Sequence, residues 1–265
     1  MKKVQVISGF ILKIIAYTFM VLDHLGVFLE MYGILPGGSI FRILGRITFP
    51  LIIFLVVQSV IYTKNFWMYF LRLALLALPI MIFQIIAGYA IDSTMQSLHS
   101  PIIDLMLAAL ITYLIRKKNW LSLLSILPIA YILLAVLVEI SSPLFGFKIT
   151  WFPFFLQPDY TIVTLLLTLF YVVAHEVTIF RAKKYFYPDV TDEKELMKTD
   201  EFRTENNFFS ALAIVLAASI LYVMTLIEID GLHVFRLAIL PYQSWMILAI
   251  IPLFLYNGKR GYNPK

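Results

Sequence analysis

Of the 265 residues, 61% are hydrophobic and 14% charged, against roughly 45–50% and about 25% in a soluble domain. That surplus excludes an ordinary soluble fold, because so much apolar surface needs lipid as its solvent. Cysteine is absent, which excludes disulfides, thiolate metal sites and a thioester intermediate on a cysteine.

Apolar runs near 20 residues recur along the whole chain, whereas a transmembrane barrel would show alternating segments of about 10. The spacing therefore predicts an all-α, polytopic helical membrane protein with about eight transmembrane helices, organised as one domain over 1–265. Met1-Lys2-Lys3 and the run after it imitate a secretory signal. The run continues through Lys13 to Leu29 with no small-x-small cleavage site, so it reads as a retained first span. In chain order the spans fall near 9–29, 39–62, 67–90, 101–115, 120–140, 160–180, 208–228 and 237–256.

The charges sort by loop. Lys2 and Lys3, then Lys64, then Arg116, Lys117 and Lys118 fall on one side. Arg181, Lys183, Lys184, Lys194, Lys198 and Arg203 join them, as do Lys259, Arg260 and Lys265, making 15 basic residues. The opposite loops hold 2, Lys148 and Arg236. By the positive-inside rule both termini are expected in the cytoplasm of a cell-membrane protein. Topology also accounts for the net charge of +5, and no nucleic acid partner is expected. Residues 181–207 form the long polar loop and read as a solvated cytoplasmic connector. Residues 142–159 carry Trp151, Phe152, Phe154 and Phe155 among prolines, which suits an interfacial or re-entrant stretch. The sequence has no metal-ligand cluster, and no metal is expected.

Ionisable side chains inside spans are costly and usually face the bundle interior. Lys13, Tyr17, Met20 and His24 are 4, 3 and 4 residues apart, so they lie along one helix face over roughly 16 Å. Arg42 and Arg46 are four apart and share a face of the second span, with Gly45 permitting close backbone approach. Asp23, His24, Arg42 and Arg46 all fall in the outer half of the membrane. Asp23 has two readings: a packing ion pair with Arg46 or Arg42, or a partner in the chemistry of His24. A neutral imidazole near pH 7 can take a proton from a nucleophile and return one to a leaving group, so His24 is read as a general base.

Other polar residues have blander explanations. Arg72 can snorkel to lipid phosphate. Asp104 and Asp159 begin spans, where an acidic residue favours a helix N-terminus. His175 and Glu176 suit a capping or interfacial role at least as well as a catalytic one, Glu139 a solvated helix end, and His99 and His233 solvated loops.

The stretch LKIIAYTFMVLDHLGVFL (Leu12 to Leu29), followed by FRILGRITFPLIIFLVVQSVIYTKN (Phe41 to Asn65), resembles the TraX family. The order D-H, R-I-L-G-R-x-x-F-P, a helix ending in T-K-N, and an arginine in YFLRLALLALP carries the resemblance. It returns at Gln157 to Val173 and at LFLYNGKRG (Leu253 to Gly261). The founding activity of that family is N-acetylation of pilin. The resemblance implies a transmembrane acyltransferase passing acetyl from cytoplasmic acetyl-CoA to an extracytoplasmic amine or hydroxyl, on a peptide N-terminus, a sugar or a lipid. It maps Asp23 and His24 as the catalytic pair, with Arg42 and Arg46 as the arginines of the second span and Arg46 facing the developing oxyanion. The anionic phosphates of acetyl-CoA are expected at Arg116, Lys117, Lys118 or Lys64, with the pantetheine arm along Lys13 and Tyr17. Rival readings are a transporter or lipid flippase using the same polar path, and an inactive membrane partner that keeps the pairs for packing.

Overall fold

The computed structural model describes residues 5–34, 40–91, 100–145, 149, 152–190, 192–227, 243–259 and 261. Among them, six helical segments are long and apolar enough to cross a membrane: Gly9–Glu30, Ile40–Tyr62, Phe66–Ala90, Trp120–Ser141, Phe154–Phe186 and Asp200–Leu226. Two shorter apolar helices, Pro101–Ile115 and Gln243–Phe254, fall where the remaining two spans are expected. The chain is a helical, multi-pass membrane protein.

The helices are α1 (Gly9–Met31), α2 (Ile40–Gly45), α3 (Thr48–Tyr62), α4 (Phe66–Ile86), α5 (Pro101–Ile115), α6 (Ile126–Phe145), α7 (Thr161–Arg181), α8 (Glu193–Leu196), α9 (Asp200–Leu226) and α10 (Ile250–Phe254). Ser8 caps α1 by accepting the N–H of Ile11, and Asn65 caps α4 by accepting that of Met68.

Two boundaries differ from the sequence reading. The second span is not one continuous helix: it breaks between α2 and α3 at Arg46 and Ile47. There the Arg46 N–H bonds Ile43 O at 3.2 Å and the Ile47 N–H bonds Leu44 O at 3.1 Å, a tighter three-residue turn. Pro50 explains the break, because it has no N–H for the carbonyl of Arg46 and its ring crowds that carbonyl. The second difference is the connector expected over 181–207. Helix α9 already begins at Asp200, and Leu196 and Phe202 are buried at 0% and 1% exposure. Arg181 forks onto Glu205 through Nε at 3.2 Å and Nη2 at 3.1 Å. Apolar residues spaced among the charges anchor this segment, which is not a simple solvated loop.

The chain divides into two compact units. The first takes in Met1–Leu55, Leu169–Tyr222 and Pro241–Lys265. Here Tyr171 donates its hydroxyl to Pro50 O at 3.1 Å, and Phe54 meets the rings of Tyr171 and Tyr256 edge-on at 5.6 and 5.7 Å. The start of α1 is tied to the chain after α10. Ile7 N–H bonds Leu255 O at 2.8 Å, Asn257 N–H bonds Ile7 O at 2.8 Å, and Gly9 N–H bonds Lys259 O at 2.7 Å. This gives Asn257, Gly258, Lys259 and Gly261 of the N-G-K-R-G motif a physical role. Gly258 and Gly261 hold φ of +69° and +78°, and a Cβ on Gly258 would lie 2.6 Å from Arg203 Cδ.

The second unit takes in Val56–Thr168 and Val223–Leu240. Phe66 of α4 stacks on Tyr113 of α5 at 3.8 Å between centroids. Asp104 is fully buried and accepts the N–H groups of Asp159 at 2.7 Å and Tyr160 at 3.2 Å, together with the Thr164 hydroxyl. It therefore caps the start of α7, across space, rather than serving the N-terminus of its own helix. Glu139 is half-buried and accepts from Gln157 Nε2 at 3.4 Å and the Thr161 hydroxyl at 3.3 Å; the expected solvated helix end is a bonded one. Tyr131 donates to Leu156 O at 2.7 Å and packs on Phe152, which pins the described part of the stretch 142–159. Trp151 lies outside the described residues.

Candidate active site

Helix α1 meets α2 through its smallest residues. Gly9, Leu12, Ala16, Asp23 and Gly26 are the buried positions among the described residues of α1, and at 100° per residue they fall within one stripe about 100° wide. A Cβ on Gly26 would lie 2.9 Å from Phe41 Cβ, and a Cβ on Gly45 would overlap Asp23 Cβ. The close approach expected of Gly45 is thus an approach to Asp23 itself. Thr48 donates its hydroxyl to Ala16 O at 3.1 Å, extending the contact to the start of α3.

This packing brings three of the sequence-derived residues together. Arg42 Nη1 lies 2.9 Å from Asp23 Oδ1, and Arg46 Nη2 lies 3.5 Å from the same oxygen. Arg42 Nε also approaches Glu30 Oε2 at 3.9 Å. Arg46 is 2% exposed, so its head group faces protein. Its Nη1 donates to Gln243 Oε1 at 3.2 Å. The sequence reading missed Glu30 and Gln243. Glu30 follows Asp23 by two helical turns on the same side of α1, and Gln243 is a polar residue in an otherwise apolar segment, so spacing and polarity together could have flagged both.

His24 is not part of that group. It is exposed, as are Lys13 and Tyr17. The face of Lys13, Tyr17, Met20 and His24 lies roughly 100° around α1 from the buried stripe, so it points outward and not into the bundle as expected. The reason is steric: the helix turns its small residues and Asp23 towards α2, which leaves the long side chains outside. His24 Nδ1 lies 2.8 Å from Met20 O. A carbonyl only accepts, so Nδ1 carries the hydrogen, and in the neutral ring Nε2 holds the lone pair. Asp23 is engaged with the arginines, and the adjacent pair is not a carboxylate–imidazole dyad.

The basic run after α5 lies in the second unit. Arg116 and Lys117, with Val60 and Tyr113, line an open cavity of about 220 Å³. Lys117 Nζ sits 4.7 Å over the Tyr113 ring. Lys118 is exposed with φ of +50°, and Lys64 is also exposed. His175 is fully buried with its ring against Phe202 at 5.4 Å, so the expected interfacial role is replaced by a buried one. Arg72 is exposed. His99 and His233 lie outside the described residues. No group of acidic, histidine or cysteine residues that could hold a metal occurs among the described residues.

The family model described as TraX protein matches residues 8–147, more than half of the chain. The chain belongs to the TraX family. The matched span contains the whole α1–α2 pair with Asp23, His24, Arg42 and Arg46, and also the basic cavity at Arg116 and Lys117. Helices α7 to α10 of this TraX chain lie beyond it. No curated protein matches the chain, and no solved structure does.

Proposed function

We propose that this TraX-family chain is a membrane-embedded acyltransferase that moves acetyl from acetyl-CoA to an amine or hydroxyl of an acceptor on the far side of the membrane. The observation that carries the reading is His24: its tautomer is set by Met20, its Nε2 lone pair is available, and it stands on an accessible helix face. The acceptor nitrogen or oxygen attacks the thioester carbonyl while Nε2 takes its proton. The C–S bond breaks, and the coenzyme A thiolate leaves with the proton returned from the imidazolium. Arg46, buried against Asp23 and Gln243, stabilises the helix pair and does not touch the reacting atoms. Asp23 and Arg42 hold Arg46 and fix the α1–α2 pair on which His24 is mounted. Lys13 and Tyr17 extend the same exposed face and line the path of the donor arm. Both termini are cytoplasmic in this reading, and the acceptor is a peptide N-terminus, a sugar or a lipid head group.

A specific observation favours a second reading, a transporter or flippase: the second span is broken at a buried arginine, and discontinuous helices often line substrate paths. One experiment separates the two. Purified protein in detergent is assayed for coenzyme A binding and acetyl-CoA hydrolysis, in wild-type and His24→Gln forms. Acyl transfer predicts both activities in the wild type and a loss of about 10²–10⁴ in rate in the variant, with folding intact because the side chain is exposed. Glutamine can hydrogen-bond but cannot carry a proton near pH 7, so full activity in His24→Gln would sink the mechanism. Transport predicts neither activity.

A further inference from the structure

Unit two separates its charges along α5. Asp104, near the start of the helix, is absorbed by the backbone of Asp159 and Tyr160 and by Thr164. Arg116, Lys117 and Lys118 follow its end, about 18 Å away at 1.5 Å per residue. Among the described residues of this unit the acidic groups are Asp104, Asp159 and Glu139. Asp104 and Glu139 are bonded at or near the start of α7, and Asp159 contributes its own N–H there.

The basic run is also shaped. The cavity is lined by Val60, Tyr113, Arg116 and Lys117. Tyr113 is held rigid by Phe66, stacked within 4° of parallel, and by the edge of Trp67 at 5.9 Å. That ring in turn seats Lys117. Trp67 and Trp120, at 62% and 72% exposure, stand at the same end of the helices, as tryptophans do at the head-group level of a bilayer.

We propose that this cavity is a phosphate-binding site at the membrane surface. Arginine supplies a planar fork for phosphate oxygens and lysine a point charge, while the aromatic wall keeps the lysine stem from collapsing across the opening. The volume of about 220 Å³ is below the roughly 300–1,000 Å³ that holds a drug-sized ligand. The cavity therefore takes one phosphate-bearing group and leaves the remainder of the ligand outside. Two sources share that chemistry: the head group of an anionic phospholipid and a phosphate of coenzyme A. The second source rests on the acyltransferase reading; the first does not.

The test uses the full chain in neutral detergent, as wild type, Arg116→Gln, Lys117→Gln, the double variant, Tyr113→Leu, and Lys194→Gln as a control from the polar connector. One arm measures retention of phosphatidylglycerol against phosphatidylcholine by native mass spectrometry. The other measures binding of coenzyme A against dephospho-coenzyme A by titration calorimetry at low and high salt. In the arm that reports the true source, each cation removed is expected to weaken binding about fivefold, and the double variant on the order of 25-fold. Tyr113→Leu weakens binding less, Lys194→Gln has no effect, and salt diminishes the wild-type signal. Loss confined to the lipid arm assigns the site to phospholipid, and loss confined to the other arm assigns it to coenzyme A. Equal binding by wild type and double variant in both arms, with both proteins folded by size exclusion, overturns the proposal. That failure is separate from failure of the acyltransferase reading, which is judged by His24→Gln and acetyl-CoA hydrolysis.

Discussion

Replacing Asp23 with asparagine keeps the shape of the side chain and deletes its charge, so it isolates what the carboxylate does between two arginines. At 2.9 and 3.5 Å and an effective dielectric near 20, the two gross attractions are about 6 and about 5 kcal/mol. Most of that offsets the cost of taking three charged groups out of water. The net consequence of removing one partner is nonetheless large, about 3–5 kcal/mol, because the other charges stay buried. Here they are Arg46 at 2% exposure, which keeps its contact with Gln243, and Arg42, which keeps Glu30 at 3.9 Å. Asp23→Asn should therefore lower the thermal midpoint in detergent, read by fluorescence-detected size exclusion. Adding Arg42→Gln should recover part of the loss, since the double variant then leaves one buried guanidinium, not two, short of the Asp23 charge. The cycle should give a coupling of roughly 1–3 kcal/mol. A midpoint unchanged in Asp23→Asn, or strictly additive losses in the double variant, would refute the claim that this ion group holds α1 to α2.

Gly45→Ala should destabilise by about 1–3 kcal/mol or more, because the new methyl overlaps Asp23 Cβ; a thermal midpoint equal to wild type would show that the helices are not in close contact there. Asp104→Ala strips acceptors from two backbone N–H groups and a hydroxyl and should cost on the order of 3 kcal/mol or more, whereas Asp104→Asn, which keeps one acceptor oxygen, should cost less. Equal midpoints for the two variants would remove the capping role. A C-terminal reporter fusion should be active only in its cytoplasm-dependent form, and external activity would reverse the proposed orientation.

The helical membrane class was legible because composition and run length depend only on the lipid solvent, and the apolar segments fall where hydropathy puts them. The break in the second span was legible only in principle: Pro50 stands in the sequence, but a proline in the first turn of a helix and one that splits a span leave the same trace. The polar connector was misread because Leu196 and Phe202 are isolated apolar residues among charges, and only a packed partner makes them a core. The fate of Asp104 and Glu139 depends on residues more than twenty positions away, Asp159, Tyr160, Thr161 and Thr164, which no local pattern links to them.

The D-H motif shows how much a motif leaves open. Adjacency in sequence reads naturally as a catalytic pair, yet neighbours on a helix diverge by about 100°. Asp23 turns inward, where Gly45 lets it reach Arg42 and Arg46, and His24 turns outward, where Met20 O sets its tautomer. The two residues thus divide the work the motif suggested they share. Asp23 positions the helix by holding charge in its interface, and in the proposed mechanism His24 offers the base on the surface that this interface fixes in place. On that division Asp23→Asn should reduce the amount of folded protein more than the rate per folded molecule, and His24→Gln the reverse. Activity per folded molecule, compared with folded yield for the two variants, tests it: a rate loss in folded Asp23→Asn as large as that in His24→Gln would restore the pair.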